Sequence, residues 1–196
     1  MVEAKPQLVL DIAGVLVNNF SPVIWKELGD RSGVIFEAMR TQFLEIKRDL
    51  WTGSLTEEQF WIGMVERYPS LNRDKVKDHL IETLKPLPAV QYLEQWSRIA
   101  DIHLLSNHCW QWLEPSLAIF KKHTKSITIS NQVGLCKPDI RIYELVESHF
   151  RSKAQILYID DQDKNLQPAK LLGWNTLLAD NQNQWIDEVE LKLLAN

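Results

Sequence analysis

Five short runs of this 196-residue chain are almost continuously apolar: "LVLDI" (8–12), "IHLLS" (102–106), "ITIS" (127–130), "ILYID" (156–160) and "NTLLA" (175–179). A strand with one wet face alternates apolar and polar residues, whereas a strand covered on both faces need not. These runs therefore predict buried strands. Helical segments lie between the later four. "WQWLEPSLAIFKKH" (110–123) has helical spacing, with Pro115 expected to kink it or mark a boundary. "PDIRIYELVESHF" (138–150) puts Ile142, Leu145, Val146 and Phe150 on one stripe. "KNLQPAKLLGW" (164–174) reads as a helix closing on Gly173, with Pro168 near its first turn. A last helix is expected through 185–195. Strand and helix in alternation predict an α/β protein built on a doubly wound, parallel, five-stranded sheet.

Residues 16–85 break the alternation and carry no strand pattern. Ser21-Pro22 reads as an N-cap followed by proline. "VIFEAMRTQFLEIKRDLW" (34–51) is a long amphipathic helix, Thr56 with Gln59 forms a capping box, and Asn72 opens another helix. The expected organisation is an α/β core from residues 1–15 and 86–196, interrupted by a helical cap at 16–85.

Composition narrows the function. The net charge is −4 and no basic run stands out, which argues against binding nucleic acid through its phosphates. No apolar stretch approaches the ~18 residues of a membrane span. Cys109 and Cys136 sit in no zinc-like pattern and read as reduced thiols. With no signal-like N-terminus, a cytoplasmic location is expected. The eight tryptophans, Trp51, Trp61, Trp96, Trp110 and Trp112 among them, are scattered and read as core anchors.

In open parallel sheets the chemistry sits beyond the carboxyl ends of the strands. The first run closes near Asp11, the second at Ser106-Asn107 and the fourth at Asp160-Asp161; Lys137-Pro138 precedes a helix. Acids on apolar strands are costly unless paired or metal-bound, and three together repel. A divalent cation relieves that repulsion, and an oxygen donor set suits magnesium. Asp163 reads as a helix cap, Asn165 as a helix-face or supporting residue, and His108 as a packed loop histidine.

"DIAGV", "LLSN", "GLCKPD" and "LYIDDQDKN" together resemble the four motifs of the haloacid dehalogenase (HAD) superfamily, mostly phosphatases, in order and over nearly the whole chain. The resemblance implies a small phosphorylated substrate and a bound Mg2+. Asp11 is then the nucleophile and a metal ligand, the backbone carbonyl of Ala13 a second ligand, and Asp161 a third, with Asp160 ligating or supporting. Lys137, Ser106 and Asn107 are implied to bind the phosphoryl oxygens.

Ala13 departs from that pattern. Phosphatases of the superfamily place there an aspartate that protonates the leaving oxygen and activates water. A methyl group does neither, so slow or atypical turnover is expected; such a group is typically worth ~10²- to 10⁴-fold. A substrate with a good leaving group, such as an acyl phosphate, tolerates the loss. A phosphonoacetaldehyde-hydrolase-like cleavage of a carbon–phosphorus bond is an alternative, and it needs a cap lysine such as Lys47. A catalytically silent module that binds a phosphorylated ligand or a protein is another. Dehalogenase chemistry needs no metal, and the retained acids speak against it.

Overall fold

The structure is a computed structural model that describes residues 5–20, 25–27, 29, 30, 33, 35–152 and 155–195. Five strands, β1 (Gln7–Leu10), β2 (Asp101–Ser106), β3 (Thr124–Ile129), β4 (Ile156–Asp160) and β5 (Asn175–Leu178), form one sheet in the order β3-β2-β1-β4-β5. Every pairing is parallel. β1 is the central strand: Gln7 pairs with Asp101 on one side and with Ile156 on the other. All of its residues are buried. Leu8 and Leu10 enter one apolar cluster and Val9 a second, so the continuous apolar run reflects burial on both faces.

Between β1 and β2 lie α1 (Phe36–Thr52), α2 (Glu57–Arg67) and α3 (Arg73–Thr83). The Thr56 capping box forms as expected, and Asn72 accepts from the Lys75 amide to cap α3. The Ser21-Pro22 expectation lies outside the described residues. The chain leaves and re-enters the sheet side by side: Leu87 N–H donates to Leu16 O (2.8 Å) and Asn18 N–H to Lys85 O (3.0 Å). Met39, Phe43, Phe60 and Trp61 of the helical insertion join Leu8 and Leu104 of the sheet in a single core.

Further helices are α4 (Leu93–Ile99), α5 (Trp110–Phe120), α6 (Ser130–Val133), α7 (Ile140–Glu147), α8 (Asp163–Leu171) and α9 (Trp185–Leu194), with 3-10 turns at Pro88–Tyr92 and Lys121–His123. Four local expectations change. α5 runs through Pro115, which is neither its start nor its end. α8 begins at Asp163, so Pro168 stands past the first turn, buried against the sheet. Its N-cap is Gln162 rather than Asp163, and the bond there runs from Gln162 N–H to Asp160 Oδ1 (2.8 Å). The third strand starts earlier than its apolar run, at Thr124, because β2 supplies a pairing edge that local sequence does not reveal. No helix among the described residues is long and apolar enough to cross a membrane.

Candidate active site

The three adjacent strands β2, β1 and β4 end level with one another and deliver Ser106, Asp11 and Asp160-Asp161 to one rim of the sheet. Asp11 lies one residue beyond β1, and its N–H donates to Ile159 O (2.9 Å), which continues the strand pairing. Its Oδ1 accepts from the Ile12 amide at 2.7 Å. A tight turn follows: Ile12 O accepts from Leu16 (2.8 Å) and Val17 (2.9 Å), and Gly14 N–H donates to Val17 O (2.7 Å). Gly14 takes φ +89°, and a Cβ there would lie 2.5 Å from Cγ and Oδ2 of Asp161. Only glycine lets the turn and that carboxylate approach so closely.

Lys137 reaches the same rim from the loop between α6 and α7. Its Nζ lies 2.9 Å from Asp11 Oδ2 and 2.6 Å from Asp160 Oδ2, and donates to Leu105 O at 3.2 Å. All three ammonium donors are thus used. Its side chain and that of Asp160 are buried. Burial works against the Lys137 charge, but Asp11 and Asp160 outweigh it and hold its pKa above the usual lysine value.

The acids are not equivalent. Asp160 is satisfied by protein: besides Lys137 it accepts from Tyr158 Oη, from Asn165 Nδ2 (2.9 and 3.1 Å) and from the Gln162 amide. Burial opposes its ionisation, but Lys137 and these donors keep its pKa below the usual carboxylate value. Asp11 is pushed up to about 7: burial dominates, Lys137 pulls it down, and Asp160 pushes it up again. Asp161 is raised as well, by burial and then by Asp160. It accepts from Asn19 Nδ2 at 2.9 Å. Oxygens of Asp11, Asp160 and Asp161 lie within 4.8 Å of one another. Lys137 leaves part of this negative charge uncompensated, and an all-oxygen donor set of this kind fits Mg2+.

Asn107 is committed to the loop. Its Nδ2 donates to Lys137 O and its Oδ1 accepts from Lys137 N–H, both at 2.8 Å. The side chain therefore aims Lys137 rather than standing open to a ligand. Ser106 Oγ is buried with no hydrogen-bond partner.

Beside the rim opens a cavity of about 630 Å³. Asp11, Ala13, Asn107 and Lys137 line it from the sheet side, and Phe43, Lys47 and Trp51 from α1. Trp51 is half-buried and stacks on His108 (5.1 Å between rings, 23°), so it faces the cavity as well as the core. Trp61 is an anchor, as expected, with Nε1 donating to the buried Glu57 at 2.6 Å. His108 is buried among Phe20, Trp51 and Trp112, and burial lowers its pKa to about 4. It is a neutral packed ring at neutral pH.

Several contributors have no local signature. Asn19 supports Asp161 from 142 residues away, and Phe20 and Trp25 complete the cavity wall. Tyr158 did have a signal, because a period of two puts it on the same face of β4 as Asp160.

No protein-family model matches the chain. Over 70 residues it is 31% identical to bifunctional epoxide hydrolase 2 of Mus musculus, a match spanning 35% of this chain and only 13% of that protein's length. Solved structures match far more widely. A predicted HAD-like family hydrolase of Porphyromonas gingivalis superposes with a TM-score of 0.80 at 23% identity, over 98% of this chain and 100% of the other. The fold is haloacid-dehalogenase-like. A HAD family enzyme of Bacteroides thetaiotaomicron, crystallised as an aspartate-to-alanine variant with magnesium and inorganic phosphate, gives a TM-score of 0.79 at 20% identity, over 92% and 97% of the two chains. A dehalogenase with the same HAD-like fold gives 0.68 at 21% identity over the full length of both.

Proposed function

We propose that this chain is a magnesium-dependent HAD-type hydrolase of a small phosphorylated metabolite, with Asp11 as nucleophile and a handicapped acid/base step. The observation that carries the reading is that Asp11 meets both Lys137 and Asp161, from three distant parts of the sequence, at one rim of the sheet, with Asp11 and Lys137 lining the cavity. Magnesium crystallised with a HAD-like neighbour supports the cofactor. Asp11, Asp161 and the Ala13 carbonyl would hold the ion, and Asp160, already saturated, would support Asp161 and Lys137. The bound ion neutralises charge on the phosphoryl oxygens.

The chain's own residues carry the rest. Lys137 holds Asp11 in place and offers positive charge to the incoming phosphoryl group. Ser106 Oγ and the Asn107 backbone orient that group. An Asp11 oxygen attacks phosphorus and forms an acyl phosphate. The ester oxygen leaves with the bonding electron pair, and without an acid at position 13 its proton must come from solvent. Water then attacks the aspartyl phosphate and releases inorganic phosphate. Residues 16–85 act as the cap that closes over the cavity and excludes water.

The test varies the leaving group. In magnesium buffer the chain is expected to hydrolyse p-nitrophenyl phosphate or acetyl phosphate, whose leaving groups need little protonation, and to leave alkyl phosphates nearly untouched. Turnover of neither class favours the silent binding module. Lys47 lines the cavity, which suits the carbon–phosphorus alternative. Borohydride trapping of an imine to phosphonoacetaldehyde separates that reading from ester hydrolysis.

Magnesium should also stabilise the fold in a pH-dependent way. The Asp11 pKa is raised, so the folded chain holds a proton between about pH 4 and 7 that the unfolded chain lacks. Stability from this group is present at low pH and lost as pH rises through about 7, where Lys137 offsets only part of the buried negative charge. A cation replaces that proton, so its effect grows with pH. At ~100-fold excess over Kd the gain is about 2–3 kcal/mol. Thermal unfolding with and without magnesium is expected to differ by several degrees at pH 8 and far less at pH 5.5. Buried His108 alters both arms equally and cancels.

A further inference from the structure

The cavity holds more positive charge than one phosphoryl group needs. Arg40, Lys47 and Arg48 of α1 and Lys164 of α8 line it, in a chain whose net charge is −4. None of the four forms an ion pair among the described residues. The acids that share the cavity are already engaged: Asp11 with Lys137, and Asp139 with Arg141 at 2.6 Å. Arg48 and Asp139 both line the cavity, and the Arg48 charge adds to the Arg141 bonds that chiefly hold Asp139 at about 2.

The placement on α1 is regular. At about 100° per residue, Arg40, Leu44, Lys47, Arg48 and Trp51 fall within a sector of roughly 100°. Met39, Phe43 and Leu50, on the neighbouring sector, are buried in the core. The cationic stripe and the Trp51 ring therefore share the face of α1 that meets the cavity. A volume of about 630 Å³ lies in the range that takes a whole small metabolite rather than a phosphoryl group alone.

We infer that the ligand is bis-anionic: its phosphoryl group docks at Asp11 and Lys137, and a second anionic group, carboxylate or phosphate, is held by Arg40, Lys47 and Arg48 on the cap side. This rests on the proposed function for the first anion only. The carbon skeleton between the two groups lies along Trp51. Charge-assisted bonds from a guanidinium or ammonium are the strong kind, and in a partly closed cavity one such anion is worth roughly tenfold or more in affinity.

The test uses non-hydrolysable pairs. ω-Carboxyalkylphosphonates of increasing chain length are titrated in magnesium buffer, each beside the alkylphosphonate of equal length, with an α,ω-bisphosphonate series as a further arm; affinity is read by calorimetry and tryptophan fluorescence. At the best length the bis-anionic member is expected to bind at least roughly tenfold more tightly. The preference should fall toward unity in an Arg40→Gln/Lys47→Met double variant whose fold is checked by circular dichroism. Equal affinities at every length, no binding of any member, or a preference that survives the double variant overturns the inference. Hydrolysis of p-nitrophenyl phosphate in the same buffer reports separately on the hydrolase reading. Turnover with equal affinities sinks only the second-anion site, and a charge preference without turnover sinks only the hydrolase.

Discussion

Ala13→Asp is expected to raise turnover of alkyl phosphates by ~10²- to 10⁴-fold, the usual worth of a general acid/base. Ala13 lines the cavity two residues beyond Asp11, in a turn whose backbone is fixed by bonds from Leu16 and Val17 to Ile12. A longer side chain there projects into space and leaves the core intact. The gain should depend on the leaving group. It should be large for an alkyl phosphate, whose oxygen needs a proton, and small for p-nitrophenyl phosphate. Steady-state kcat on both substrates checks this. An unchanged rate for the alkyl ester in a folded variant sinks the claim that the missing acid limits catalysis.

Lys137→Met is expected to cost about 3–5 kcal/mol of stability, the scale for removing one partner of a buried ion pair. The Lys137 side chain is buried, and its loss leaves the Asp11 and Asp160 carboxylates facing each other with no cation between them. Lys137→Arg should restore little, because the planar guanidinium cannot meet Asp11, Asp160 and Leu105 O from one point. Urea unfolding is the measurement. The deficit should be largest above about pH 7 and level off below it, because Asp11, already raised to about 7 and raised further without Lys137, is protonated there with or without the lysine. A deficit under ~1 kcal/mol at about pH 8 contradicts the structural role given to this lysine.

The chain announces its sheet more clearly than its cavity. Leu8 to Leu10 and Leu157 to Ile159 are apolar because both faces are covered, and that cause leaves its mark in a short window of sequence. Capping at Thr56 and Asn72 is local for the same reason. The acids at the strand ends were legible because parallel topology fixes where strand ends go. What stayed hidden depends on approach between distant segments. The bond from Asn19 to Asp161, the mutual grip of Asn107 and Lys137, and the stacking of Trp51 on His108 have no periodicity to betray them. The same holds for Glu57, whose carboxylate accepts from Trp61 and Trp112 and pairs with Lys77 at 2.8 Å. Read alone, it is an unremarkable acid in the first turn of a helix.

The central place of β1 bears on how the protein comes into being. Its neighbours β2 and β4 begin at Asp101 and Ile156, so the first strand made is not paired on both edges until the fourth has been synthesised. During synthesis Asp11 has no sheet to join until most of the polypeptide has left the ribosome. Such distant pairings make for slow folding. A message cut short before codon 156 yields a product that keeps Lys137 but lacks the strand that Asp11 pairs with and the acids Asp160 and Asp161 beside it, so partial translation gives no partial rim.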